Sequence, residues 1–192
     1  MLDIIGQVLN SSYREPIPDG NTFELYETDP NAACKVARFR KKKGKVLVYK
    51  FDKIVNYIDN QGRAKTIESI FPFFNDRPGL KAMADFLFFY QKEENEFYPI
   101  ICNLKSGNKG NSKSQFKAAE TFIQFIIDNA LRVTNETNKD FKIHFVRKVL
   151  FSSKPLYSFN KNDWNQHAKK DTPINFQCSA QSICTLDAIC NT

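Results

Sequence analysis

Charged side chains stand at the ends of two neighbouring apolar segments. Asp85 opens the segment ADFLFFYQ, and Lys105 closes the segment FYPIICNLKS. The two segments are joined by a short polar turn, so a hairpin would bring the start of the first beside the end of the second. A carboxylate can hold a divalent cation, and a nearby lysine can orient a water and offset the charge that builds on a phosphorus centre. Asp85 and Lys105 therefore predict a site for phosphodiester chemistry at one edge of a sheet.

A polar loop and a long helix follow Lys105. The loop GNKGNSK is rich in Gly, Ser, Asn and Lys, and the next segment, SQFKAAETFIQFIIDNALR, has apolar residues at three- and four-residue steps. That spacing predicts an amphipathic helix over 114–132. The N-terminus of a helix favours anions, so the start of this helix is expected beside the same site.

The surrounding segments predict an α/β fold with a mixed central sheet flanked by helices. Segments predicted as strands are 45–58, 84–91, 97–106 and 141–153, and 64–74 is predicted as a short helix that stops near Pro72. The near-continuous apolar run in 97–106 is typical of a strand covered on both faces. A strand–helix–strand crossover indicates a partly parallel sheet. The tail has weak periodicity, with one more helix expected within 177–191.

This arrangement resembles the PD-(D/E)XK, or restriction-endonuclease-like, nuclease family. The matching residues are Asp85, the triplet Asn103-Leu104-Lys105 on the next strand, and Gln115 on the following helix, and the resemblance covers about 45–152. It implies a restriction-endonuclease-like core and a metal-dependent endonuclease that uses Mg²⁺ or Mn²⁺ to cleave phosphodiester bonds in DNA, of the restriction or anti-phage defence type. Asp85 would bind the cation, Lys105 would orient the attacking water, and Gln115 would support it.

One position departs from the family's pattern, because Asn103 stands where the family has its second acid. The acid could come from the helix, where Glu120 lies. Asn103 could instead be a weaker, uncharged ligand. The third alternative is a catalytically inactive site kept for binding nucleic acid. Glu68 is a further candidate ligand, since some relatives carry an extra acid in the first helix.

The overall charge favours a polyanionic partner. The chain carries a formal net charge of +7 and has a pI of about 9.1. Basic side chains near the predicted site, or in the basic segment 139–170, are candidate phosphate contacts. These candidates are Arg77, Lys81, Lys109, Lys113, Arg147, Lys148 and Lys154. The alternative is an interaction subunit of a larger complex, in which the charge is incidental.

Length and cysteine content set the remaining expectations. The 192 residues predict a single domain, with a nuclease-like core at about 45–152 and a basic C-terminal extension at 153–192. No run of about 18 apolar residues is present, so neither a membrane span nor a membrane partner is expected. Without a signal peptide, the chain is expected in the cytoplasm with its five cysteines reduced. Cys178, Cys184 and Cys190 are spaced too widely for a zinc site and are expected to act as small apolar side chains. Nucleases of this family often dimerise, so a homodimer is a further expectation.

Overall fold

A six-stranded mixed sheet forms the centre of the described residues. The computed structural model describes residues 1–51, 55–58, 61–67, 83–106, 112–135, 141–153, 172–179 and 181–190. Within these ranges the helices are α1 (Leu2–Val8), α2 (Ser112–Thr134) and α3 (Leu186–Cys190), with a short 3-10 turn at Ser11–Tyr13. The strands are β1 (Thr22–Tyr26), β2 (Val36–Arg40), β3 (Lys45–Tyr49), β4 (Val55–Ile58), β5 (Ala64–Ile67), β6 (Phe86–Glu93), β7 (Glu96–Lys105), β8 (Lys142–Ile143), β9 (Arg147–Ser152), β10 (Ile174–Gln177) and β11 (Ile183–Thr185).

The main sheet has the strand order β10-β9-β7-β6-β3, and β8 also pairs with β7. β3, β6 and β7 are antiparallel neighbours, whereas β9 lies parallel to β7 and β10 lies parallel to β9. A parallel neighbour needs a crossover, and α2 lies between β7 and β9 in the chain. The predicted α/β class and mixed sheet are therefore confirmed.

β6 and β7 are central strands of the sheet, and both of their faces are covered. Phe86 to Tyr90 and Phe97 to Leu104 are buried without interruption. Side chains alternate between the two faces of a strand, so Leu87, Phe89 and Ile101 pack with the apolar stripe of α2, while Phe88 and Ile100 belong to the cluster on the other side. This double burial explains the continuous apolar runs in the sequence.

A second layer covers the sheet face opposite α2. It consists of a three-stranded sheet, β1-β2-β11, followed by the short helix α3. The Phe39 ring lies 4.7 Å from Phe88 and 5.4 Å from Phe151 of the main sheet, and 5.5 Å from Phe23 of its own sheet. One face is thus covered chiefly by a sheet, where the sequence predicted helices on both.

Four predicted elements differ from the structure, and one of them is the strand predicted at 141–153, which forms β8 and β9 with residues 144–146 between them. The strand predicted at 45–58 is split into β3 and β4, and the helix predicted at 64–74 is wrong for 64–67, which form β5 in an antiparallel pair with β4. Gly62 has a φ of 76° in the turn between them, which allows a tight connection, and the β-branched pair Thr66 and Ile67 favours extended backbone. Residues 68–74 lie outside the described ranges. The tail forms β11 before α3, so only part of 177–191 is helical.

A disulfide joins the two layers of the fold. Cys34 and Cys178, 144 residues apart with Cα atoms at 5.5 Å, are bonded, so the expectation of five reduced cysteines is wrong for this pair. Cys102, Cys184 and Cys190 are free and buried, which confirms the small apolar role expected for the last two. No helix of the described residues is both long enough and apolar enough to cross a membrane.

Reduction of this disulfide is expected to lower the free energy of unfolding by about 2–4 kcal/mol, because the bond closes a long loop in the unfolded chain. Urea unfolding with and without reductant measures the difference. Cys34→Ser is the control, since reductant should not affect it further. Thiol titration of the denatured oxidised protein should find three free thiols. Five thiols would contradict the bond.

Candidate functional site

Asp85 and Asn103 lie side by side at the edge of the sheet where β7 ends. Phe86 pairs with Cys102 in the β6–β7 register, so the residues just beyond this pair are neighbours. The Asp85 backbone N–H donates to Asn103 Oδ1 at 3.1 Å, and the Leu104 backbone N–H donates to Asp85 Oδ2 at 2.5 Å. Asp85 is 6% exposed and Asn103 is fully buried. The Asn103 side chain is thus bonded to the backbone of Asp85, and the Asp85 side chain is bonded to the backbone of Leu104.

Lys105 closes β7 next to this pair. It is partly exposed, and its charge acts on the Asp85 carboxylate. Because β7 side chains alternate, Asn103 and Lys105 are on the same face as Ile101, which packs with α2. Gln115 lies in the first turn of α2, and its Oε1 atom is buried. The structure therefore brings the aspartate and the lysine together, with Gln115 in the helix that covers their face.

The electrostatics of the site centre on a buried acid. Burial raises the pKa of the Asp85 carboxyl above its ordinary value of 3.8, and the charge of Glu27 adds to the rise. Lys105, the Leu104 N–H group and Lys50 act in the opposite direction. A carboxyl whose pKa is shifted by burial beside a specific cation is typical of functional sites.

Asp85→Asn is expected to be more stable than the wild type at neutral pH. Because the folded-state pKa of Asp85 is raised, the native protein loses stability as the pH rises from the unfolded value, near 3.8, through the folded value. The neutral amide removes this loss and can still accept from Leu104. Urea unfolding across this pH range should show that the advantage of the variant shrinks at acid pH. An advantage that grows on acidification would contradict the raised pKa.

Glu120 meets a cationic side chain in the structure. Its Oε1 atom is 2.8 Å from Lys148 Nζ, and Lys148 is 7% exposed. Arg147 is 3% exposed, with its guanidinium carbon 3.6 Å from the centre of the Phe145 ring. Burial removes Arg147 and Lys148 from the surface, and we do not retain them as phosphate contacts.

Sequence reasoning missed a buried lysine near this edge. Lys50, 3% exposed, follows β3, and its Nζ lies 3.3 Å from Thr28 Oγ1, 3.7 Å from Glu27 Oε1 and 5.3 Å from the centre of the Phe86 ring. The same β1–β2 connection reaches the end of β7, where the Ala33 N–H donates to Ser106 Oγ at 2.8 Å. A signal was present in the sequence, because Lys50 ends the apolar run VLVYK as Lys105 ends its own run.

The remaining predicted residues are less informative. Lys113 is exposed in the first turn of α2. Five others lie outside the described ranges: Glu68, Arg77, Lys81, Lys109 and Lys154.

The donors at this edge do not match the two-acid cation site of the family. Among the described residues, no group of three or more His, Cys, Asp or Glu side chains could hold a metal ion. Asp85 could supply one of the two acidic ligands. The Asn103 oxygen, however, accepts from the Asp85 N–H group, and the Glu120 carboxylate is paired with Lys148. Two further acids are candidates for the second position: Glu27, whose charge acts on Asp85, and Glu68, which lies outside the described ranges.

Comparison of the chain with protein-family models, with curated protein sequences and with solved structures yields no match. The interpretation of the site therefore depends on its own geometry.

Proposed function

We propose that this chain is an endonuclease that hydrolyses phosphodiester bonds in DNA, built on a restriction-endonuclease-like core. The observation that carries the proposal is the placement of Asp85 and Lys105 at the same end of the β6–β7 pair, where the Leu104 N–H group holds the Asp85 carboxylate. A buried acid beside an ammonium group suits a reaction in which a water attacks phosphorus and negative charge builds up.

The order of the elements supports the proposal. From β3 onward the chain includes β6, β7, α2 and β9 in that order, which agrees with the strand, strand, long helix and strand expected from 84 to 153, although β4 and β5 lie between β3 and β6 and the short β8 precedes β9. β3, β6 and β7 are antiparallel neighbours, and β9 is parallel to β7. Asp85 stands just before β6, and Lys105 ends β7. The use of Mg²⁺ or Mn²⁺, which the resemblance implies, is part of the proposal.

A protein that binds nucleic acid without cleaving it is the second candidate, and Asn103 favours it. An amide brings no charge to a cation site, and Glu120, the acid that could replace it, is paired with Lys148. The net charge of +7 and the exposed Lys113 suit either function.

Cleavage and binding assays separate the two candidates. Supercoiled plasmid, linear duplex, single-stranded DNA and RNA are incubated with the protein in Mg²⁺, in Mn²⁺ and in chelator. The endonuclease should nick plasmid only when a divalent cation is present. The binding protein should shift DNA in a gel in chelator, with an affinity that falls steeply as salt rises, and should leave it intact. A protein that neither cleaves nor binds refutes both proposals.

A further inference from the structure

The connection between β1 and β2, residues 27–35, forms a strap at one edge of the main sheet. At the start of the strap, Glu27 Oε1 lies 3.7 Å from Nζ of Lys50, the residue that follows β3. Near its end, the Ala33 N–H group donates at 2.8 Å to Oγ of Ser106, the residue that follows β7. The strap therefore reaches from the end of β3 to the end of β7.

The candidate site lies between these two contacts. β6 is the strand between β3 and β7, and Asp85 stands just before it. Asp85 is 6% exposed, and the charge of Glu27 acts on its carboxylate. A phosphate group cannot reach so well buried a side chain, and the carboxylates of Glu27 and Asp29 on the strap repel it. The closed strap thus opposes the approach of DNA to this edge.

The Cys34–Cys178 disulfide is the covalent tie of the strap. It joins the strap to the residue after β10, and the Cys178 N–H group donates to the Ser152 carbonyl at the end of β9 at 2.8 Å. Among residues 27–35, all of which the structure describes, Cys34 alone is buried. Because segments with few buried side chains open most readily, the disulfide decides how firmly the strap is held.

We propose that the Cys34–Cys178 disulfide is a redox switch, which keeps the strap closed over the candidate site when oxidised and lets it open when reduced. The effect on cleavage rests on the proposed function, since an open strap gives a phosphate access to Asp85. The opening itself does not depend on that function and can be measured without an activity.

A dithiol supplies the two electrons that the switch needs. One thiolate of the dithiol attacks the Cys178 sulfur, because Cys178 is partly exposed whereas Cys34 is 1% exposed. The bond between the two cysteines breaks, and Cys34 leaves as a thiolate that takes up a proton. The second thiolate of the dithiol then displaces Cys178, which also takes up a proton. The dithiol ends as a disulfide, and both cysteines end as thiols.

Hydrogen exchange measured by mass spectrometry tests the opening. Wild type is compared in its oxidised form and after reduction with dithiothreitol and removal of the reductant. Amides of residues 27–35 should exchange at least about tenfold faster after reduction, because a closed segment populates its open state to about 10% or less. Cys178→Ser, which cannot form the bond, should show the faster exchange with or without reductant. Amides of β6 and β7 are the internal control and should keep their protection.

Two exchange results would overturn the proposal. One is unchanged exchange in the strap of a protein whose five cysteines all titrate as thiols. The other is a loss of protection throughout β6 and β7, since reduction would then unfold the sheet and not open the strap.

Single-turnover nicking of supercoiled plasmid in Mn²⁺ tests the effect on cleavage. Reduction should raise the rate about tenfold, in proportion to the open fraction, and reoxidation with a small disulfide should lower it again. Cys178→Ser should nick at the reduced rate in both conditions. An unchanged rate would overturn the control of the site, and a fall on reduction would show that the closed strap is the active form. Faster exchange on reduction in a protein that cleaves no nucleic acid in either state refutes the proposed function and leaves the redox-controlled strap in place.

Discussion

Lys105→Ala is expected to reduce plasmid nicking at least about 100-fold, the usual cost of losing one group that stabilises charge in a transition state. The charge of the Lys105 ammonium group lowers the pKa of Asp85. Lys105 lies two residues after Asn103 on β7. Its loss leaves a buried acid without this compensation and leaves the developing phosphorus charge unopposed. Single-turnover nicking with enzyme in excess of plasmid measures the effect.

Lys117→Ala is the matched control. It removes the same charge from an exposed position on α2 to which no role is assigned, so nicking should change by no more than a few-fold. Lys105 is partly exposed, so the variant is expected to stay folded, and thermal melting of both variants checks this. Equal losses in the two variants would mean that net charge, and not the position of Lys105, controls cleavage.

Phe39→Ala is expected to lower the free energy of unfolding by about 3–5 kcal/mol, as is usual when a buried aromatic ring is removed. The Phe39 ring is fully buried and contacts Phe23, Phe88 and Phe151, so it joins the small sheet to the main one. Its removal leaves a cavity between the layers that the rigid strands around it cannot fill. Urea unfolding gives the difference directly.

Phe125→Ala is the comparison for this prediction. Phe125 is 61% exposed on α2, so the same truncation should change the free energy of unfolding by about 0.5 kcal/mol or less. A loss at Phe39 as small as that at Phe125 would show that the second layer is not packed on the main sheet as described.

The parts of the fold that sequence predicted are those with a local signal. β6 and β7 are joined by a short turn, and their unbroken apolar runs already require cover on both faces. The stripe from Phe116 to Ala130 specified α2 in the same way, and all of its predicted residues are buried. Asp85 and Lys105 were found because a hairpin brings their positions together whatever the rest of the chain does.

The parts that sequence did not predict depend on distant partners. The second layer pairs β2 with β11, and nothing local to either strand states that pairing. Lys148 meets Glu120 only because α2 lies over β9, so a charged residue that reads as a surface contact is buried. Lys50 and Glu27 meet through a connection from the second layer, which is why that part of the site was missed.

Nicking of supercoiled plasmid by the wild type and by Asp85→Asn, purified and assayed side by side in Mn²⁺, is the most direct test of the central claim. Asp85→Asn changes the acid and is expected to keep the fold, so a difference between the two reports on the site itself. The wild type should convert the plasmid to nicked and linear forms, and the variant should leave it supercoiled. Equal conversion by both proteins, or none by the wild type, would contradict hydrolysis at this edge of the sheet.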